Sequence, residues 1–242
     1  NGWQPIVPLT ASDASRLDYF GHSVGVYENE VVVGAPNDDD PRGYSDIGSF
    51  YIFERSPNGA WAQTAKTQYT QYRRNLVRLG ADVAIVGDRM LVQANWFGRT
   101  YIYERGEEGW SLAQEISNIG SYGGIRLSGA VYGNTAIAGA YGEDGVWRDS
   151  GAIKVYRRNS VGEWPLVETL VPRGFHVHGD LIDVTSWHYG KHVTTNGCNV
   201  FSSTRTENNG SGLLYHVRLA CPVCTADGAC VCGDGNGADC SE

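Results

Sequence analysis

The sequence predicts an all-β chain built from a repeated antiparallel meander, and three observations carry that prediction. Glycine supplies 32 of the 242 residues and methionine only one, a balance rich in turn formers and poor in helix formers. Short runs of Val, Ile, Tyr and Phe are broken at close intervals by Asn, Gly and Asp, as in strands joined by tight turns. One strand ending also recurs, as Gly48-Ser-Phe-Tyr-Ile-Phe-Glu-Arg55, Gly98-Arg-Thr-Tyr-Ile-Tyr-Glu-Arg105 and Gly151-Ala-Ile-Lys-Val-Tyr-Arg-Arg158, so the chain is a repeat before any element is assigned.

The elements of one unit follow in order. A turn comes first, at residues 27–31, 86–90 and 132–136, centred on Glu28-Asn29, Gly87-Asp88 and Gly133-Asn134, with the Asn, Gly and Asp that favour hairpin turns. An apolar run stopped by small residues follows, at 31–35, 90–94 and 136–140. The recurring Gly-led strand is third. A polar turn then leads to a tryptophan, Trp61, Trp110 or Trp164, expected to begin the outer strand of the next unit. Trp3 stands in the same relation to the first unit. A looser fourth copy ends in Gly212-Leu-Leu-Tyr-His-Val-Arg218, with residues 191–195 as its weaker inner run. Repeated four-stranded meanders make a β-propeller-like array of about four four-stranded antiparallel blades. The units are expected at 1–60, 61–109, 110–163 and 164–219, with a disulfide-rich tail at 220–242.

Charge and cysteine use narrow the partners and the compartment. Nineteen Lys and Arg against 27 Asp and Glu leave a formal charge of −8, which repels a phosphate backbone and argues against nucleic acid. No apolar run approaches the ~18 residues of a membrane span. The start Asn1-Gly2-Trp3 carries no Met, as expected of a processed or excised product. Cys198 is joined by Cys221, Cys224, Cys230, Cys232 and Cys240 in the tail. An even number of cysteines fits a disulfide framework. Zinc is the alternative, although CxxC followed after five residues by CxC departs from paired knuckles set roughly a dozen residues or more apart. Asn209-Gly210-Ser211 is a glycosylation sequon, meaningful in a secretory protein. These features together predict an extracellular chain.

The stretches Leu9-Thr-Ala-Ser-Asp13, Asp18-Tyr-Phe20-Gly21-His-Ser23-Val24, Val33-Gly34-Ala35-Pro36 and Gly48-Ser49-Phe-Tyr-Ile-Phe53 resemble an FG-GAP repeat, the blade unit of integrin α-subunit propellers and of many secreted repeat proteins. The third unit keeps Tyr122-Gly123 and Gly139-Ala140-Tyr141, the second keeps Gln93-Ala94-Asn95, and the fourth has diverged furthest. The family's propellers are usually seven-bladed, whereas four units are counted here. The resemblance implies adhesion, with loops on one face presented to a protein or glycan. It also implies calcium, but the family's Asp-x-Asp-x-Asp-Gly-x-x-Asp loop before the Gly-Ala-Pro strand is replaced here by the short turn Tyr27-Glu28-Asn29-Glu30.

Acid is instead placed after that strand. Asp38, Asp39, Asp40 and Asp46 follow it in the first unit, and Glu143, Asp144 and Asp149 in the third. Calcium takes roughly six to eight oxygens, so these carboxylates are its candidate ligands; the alternative is a solvated acidic loop. His176-Val-His178-Gly-Asp180 places two imidazoles on one face of a strand, a pair able to share a metal. Leu181 replaces the terminal His of the corresponding hydrolase motif, and the alternative is a drifted strand of the fourth unit. Trp96, Trp147 and Trp187 lie outside the recurring tryptophan position and are candidate contact residues, with packing between blades as their alternative. Neither a Gly-x-Ser-x-Gly elbow nor a phosphate loop is present. The sequence therefore predicts a secreted, non-enzymatic adhesion or protein- or glycan-binding module that requires no cofactor. One alternative is a structural subunit that self-assembles through blade edges and the tail. Another is a metal-dependent hydrolase using His176, His178 and Asp180.

Overall fold

A computed structural model describes residues 8–68, 75–94, 98–117, 128–140, 143, 150–171, 176–177, 180–181, 189–205, 212–219, 223–224 and 230–231. Among these residues the chain is all-β. The first sheet holds β1 (Ser23–Tyr27), β2 (Glu30–Ala35), β3 (Ser49–Arg55) and β4 (Trp61–Gln68). The second holds β5 (Leu79–Val86), β6 (Arg89–Ala94), β7 (Arg99–Gly106) and β8 (Gly109–Ile116). The third holds β9 (Ser128–Tyr132), β10 (Thr135–Ala140), β11 (Ala152–Arg157) and β12 (Leu166–Leu170). Two short strands, β13 (His176–Val177) and β14 (Asp180–Leu181), pair with each other before the fourth sheet. That sheet holds β15 (His192–Thr195), β16 (Asn199–Arg205) and β17 (Gly212–Arg218), and the pair β18 (Val223–Cys224) and β19 (Cys230–Val231) follows. Strand order within each large sheet is the order of the chain. Every neighbouring pair is antiparallel.

The sheets stack face to face, which explains why β2 and β10 are buried at every position. Side chains alternate across a strand, so a strand covered on both faces is apolar on both. Val32, Phe50 and Ile52 pack with Val83, Ile85, Met90 and Val92 between the first and second sheets. Leu91 and Ile102 meet Val131, Ala136, Ala138 and Trp164 between the second and third. Ile137, Ile153 and Val155 meet Tyr189, Val193 and Val200 between the third and fourth. Val31, Val33, Tyr51 and Phe53, on the far face of the first sheet, are capped by Leu9, Ala11 and Phe20.

Two recurring glycines set the distance between sheets. A Cβ on Gly34 would lie 2.0 Å from the Gly80 carbonyl oxygen, and one on Gly139 would lie 1.9 Å from that of Gly190. Ser23 and Ser128 fasten the same crossings, their hydroxyls donating to the Gly80 and Gly190 carbonyls at 2.8 and 3.1 Å. The glycine that opens the recurring strand makes a second crossing. Gly48 and Gly151, at φ of 78° and 79°, form parallel bridges to Leu79 and Tyr189 of the following sheet. No side chain fits there, and the left-handed backbone favours glycine as well. The second sheet departs from the rule with Gln93 in the place of Gly34, and here Gly129 of the third sheet gives way, its missing Cβ falling 2.4 Å from Leu91 Cδ2.

The recurring tryptophan requires a correction. Trp61 pairs with Arg55 of β3 and Trp110 with Arg105 of β7, so the tryptophan strand closes its own sheet and does not begin the next. The reason is the tight turn before it. Ser56 N–H donates to the Ala60 carbonyl at 2.8 Å and Asn159 N–H to that of Glu163 at 2.8 Å, which returns the chain directly alongside the strand it has just left. Sequence units and sheets are thus offset by one strand.

Gly139→Ala is expected to destabilise the protein by roughly 1–3 kcal/mol or more through overpacking against backbone, seen as a lower urea midpoint. Gly106→Ala, where a Cβ meets only the Gly109 carbonyl at 4.0 Å, leaves the midpoint nearly unchanged.

Candidate functional site

The two ends of the stacked sheets differ. At one end the first and second strands of a sheet join through two-residue turns at 28–29, 87–88 and 133–134. At the other end lie the connections from second to third strand, at 36–48, 95–98 and 141–151, and the approach to the fourth sheet.

The 36–48 loop is organised by ion pairs. Asp38 is buried, and its Oδ2 accepts from the Ser49 hydroxyl, from Gln68 Nε2 at 2.9 Å and from Lys66 Nζ at 2.7 Å. Lys66 also reaches Asp13 Oδ2 at 2.6 Å, and the Tyr51 hydroxyl donates to Asp13 Oδ1 at 3.1 Å. Burial works against the Lys66 charge, but hydrogen bonds to Asp13, Asp38 and Tyr51 outweigh it and hold the ammonium above the usual lysine range. Burial pushes the Tyr51 phenol up to about 12. Lys66 is therefore a fixed cation, unsuited to act as a base or amine nucleophile near neutral pH. Asp40 is gripped by the Nε and backbone N–H of Arg42, which holds its carboxyl below the ordinary value. Asp39 Oδ1 accepts the backbone N–H of Asp46 at 2.8 Å, and Asp46 sits at φ 52°.

The same closure recurs in the third sheet. Gly48 N–H donates to the Asp38 carbonyl at 2.9 Å, and Gly151 N–H donates to the Glu143 carbonyl at 3.0 Å. Asp38 and Glu143 are thus equivalent, and Glu143 too is paired with a lysine, Lys154, at 3.1 Å. The lysine partners sit on different strands, β4 and β11, so no common spacing in the sequence marks them. Among the described residues, no three His, Cys, Asp or Glu side chains are grouped around a common metal position. Asp144 and Asp149 lie outside the described residues.

At the turn end, the recurring arginine and tryptophan act together on a carboxylate of the preceding sheet. Glu30 of β2 accepts from Arg105 and, at 2.7 Å, from Trp110 Nε1, with the Arg105 guanidinium 4.8 Å from the Trp110 ring centroid. Glu104 of β7 accepts from Arg158 Nε at 2.6 Å and from Trp164 Nε1 at 3.0 Å. Burial raises the Glu104 pKa, but the bonds from Arg158 and Trp164 outweigh it and leave the carboxyl below its ordinary value. Such charge-assisted pairs are stronger and more directional than neutral ones. Beside the first clamp lies a crevice of ≈ 380 Å³, with Glu28, Glu54, Asp88, Arg55 and Arg105 among the residues that line it.

A third polar feature crosses the second and third sheets. Asp82 Oδ2 accepts the backbone N–H of Gly129 at 2.8 Å. Burial pushes this carboxyl up to about 6, against the hydrogen bonds from Gly129 and Val83 that favour its charge. Its register neighbour Gln93 and, beyond it, Thr100 are buried, and their side-chain polar atoms make no hydrogen bond.

Other residues singled out in the sequence are placed as follows. His176 stands opposite Leu181 in the short β13–β14 ladder and Asp180 opposite Val177, while His192 is exposed on β15. Cys198 is buried and disulfide-bonded. Cys224 and Cys230 are register partners in β18 and β19. His178, Trp96, Trp147, Trp187, Asn209, Cys221, Cys232 and Cys240 lie outside the described residues.

Residues 3–53 match the family model of the FG-GAP repeat. No curated protein sequence matches the chain. Among solved structures, the chain is similar to a putative 6-phosphogluconolactonase from Bacteroides uniformis, with a TM-score of 0.51 and 11% identity over 82% of this chain and 56% of that one. It is also similar to a protein from Lactobacillus plantarum, with a TM-score of 0.46 and 10% identity over 82% of this chain and 55% of that one. The chain thus spans about half the length of these structures. The first likeness supports the β-propeller-like fold and no more than the fold.

Glu104→Ala is expected to cost roughly 2–4 kcal/mol, because it strips a partner from the buried Trp164 and from Arg158. Adding Arg158→Ala costs less than the two single changes summed, as a double-mutant cycle by denaturant unfolding reads. For Asp82 the sign follows from a folded pKa raised above the ordinary 3.8. Its contribution to stability is full below that value and is lost as pH rises through about 6. Asp82→Asn therefore raises Tm relative to the parent at pH 7.5, and the difference vanishes at about pH 4.

Proposed function

We propose that the chain is a secreted, non-enzymatic β-propeller-like module that binds an extracellular protein or glycan at the loop-bearing end of its sheets. The observation that carries this reading is the asymmetry of the two ends. The two-residue turns 28–29, 87–88 and 133–134 and the third-to-fourth-strand connections 56–60, 107–108 and 158–165 lie at one end, and the acidic connections 36–48 and 141–151 lie at the other. By sequence, Trp96 and Trp147 belong to the second-to-third-strand connections and Trp187 to the approach to the fourth sheet. Aromatic side chains bury large areas for few rotatable bonds, which suits them to recognition. The FG-GAP match supports a propeller module of the kind found in adhesion, and the sequon and the cysteines support an extracellular setting. Calcium at the acidic loops belongs to the same proposal, with Asp39, Asp46, Asp144 and Asp149 among its ligands.

The reading also explains how the ionisable groups at the loop end are used. Lys66 is held by both Asp13 and Asp38, so these three side chains shape the loop and leave recognition to the side chains around it.

The test is titration of the immobilised protein against arrayed glycans and extracellular matrix proteins, together with an assay of 6-phosphogluconolactone hydrolysis. Saturable binding is expected, weakened about tenfold or more by Trp96→Ala or Trp147→Ala, with no acceleration over spontaneous lactone hydrolysis. Turnover of the lactone, or binding indifferent to these substitutions, would overturn the reading.

A further inference from the structure

Each interior sheet contact joins the leading face of one sheet to the trailing face of the sheet before it, and one face of each kind is left over. On the leading face of the first sheet, Leu9, Ala11 and Phe20 cover the half nearer the loops. The half nearer the turns is open, with Val24 and Val26 at 56% and 62% exposure. Register equates Val26, opposite Val31, with Ile85, opposite Met90, and with Val131, opposite Ala136. Those two are 4% and 2% exposed, each buried against the preceding sheet.

The same face carries an idle copy of the carboxylate clamp. Arg55 and Trp61 stand where Arg105 and Trp110 stand in the second sheet. Among the described residues, the Arg55 guanidinium reaches only the Gly59 carbonyl, at 3.4 Å. Its two counterparts each grip a glutamate across a sheet contact.

The trailing face of the fourth sheet is the leftover of the opposite kind. Thr194, Phe201 and His216 occupy the places of Ala130, Ile137 and Val155, which in the third sheet are buried against the fourth. Here Thr194 and His216 are exposed, Leu214 beside them is 72% exposed, and His216 stacks on Phe201 at 4.7 Å. Asn199 begins β16 as Glu30 begins β2, so an amide oxygen, paired at 2.8 Å with His216 Nε2 in the single copy, stands where the clamp finds a carboxylate.

We infer that a second copy of this chain docks head-to-tail on these faces, with Val24, Val26, Arg55 and Trp61 of one copy against Thr194, Asn199, Phe201 and Leu214 of the next. A second copy covers both leftover faces at once, with the contact type the chain already makes three times between its own sheets. The interface is heterologous and so propagates or closes into a ring. Arg218 stands at the position of Glu104, and like charge against Arg55 makes the association weak and reversible.

Sedimentation velocity over a concentration series tests this on the full chain. The parent is expected to show concentration-dependent association, and Val26→Asp to remain monomeric with unchanged thermal stability, since Val26 is solvent-exposed in the single copy. Asn199→Glu restores the carboxylate and strengthens association about tenfold, and adding Arg55→Ala removes that gain. A parent that stays monomeric throughout, with Asn199→Glu no different, overturns the proposal. So does association that survives Val26→Asp.

Discussion

Direct backbone contact between successive sheets is the constraint from which the rest of the structure follows. Where Gly34 meets Gly80 and Gly139 meets Gly190, the sheets come closer than any side chain permits. That approach brings Val32, Phe50 and Ile52 against Val83, Ile85, Met90 and Val92 across the first crossing, and Ile137, Ile153 and Val155 against Tyr189, Val193 and Val200 across the second. It also lets the serine hydroxyls reach across to the next sheet. The crossings lie at the loop end, so they fix where the 36–48 connection and the start of the following sheet stand relative to each other.

The opposite end is held by different physics. There, the arginine and tryptophan of one sheet close on a carboxylate of the sheet before it, and the glutamate moves from β2 in the first sheet to β7 in the second without disturbing the clamp. Glu30 pairs in register with Glu54, and Glu104 with Arg89. The carboxylate thus exchanges places across neighbouring strands while its position in space is kept. At the loop end, Lys66 and Lys154 play the matching part for Asp38 and Glu143.

Much of this was legible in the sequence, and the residues show why the rest was not. Recurrence of the Gly-led strand disclosed the repeat, because a bridge to the next sheet demands glycine at Gly48 and Gly151. The tryptophan's recurrence is equally visible, but its sheet is not, since sequence order alone does not say whether a turn folds a strand back or passes it on. The acids adjoin in sequence, which gives them the look of a ligand set. In the fold, Asp38 turns to Lys66 and Asp40 to Arg42, and long-range cations of this kind leave no local pattern. Gln93 stands in the place of a repeat glycine, and Gly129 on the facing strand compensates for it, a pairing across sheets that has no trace in the local sequence.

The most direct test of the central claim is residue-resolved amide hydrogen exchange. Leu79 N–H donates to the Ile47 carbonyl at 3.0 Å and Tyr189 N–H to that of Ser150 at 3.3 Å, both across sheet boundaries. If contact between sheets holds the stack, these amides exchange only with global unfolding, as slowly as those of β2 and β10. Fast exchange at Leu79 and Tyr189 beside protected strand centres would contradict the account, because the sheets would then be separable units joined by mobile boundaries.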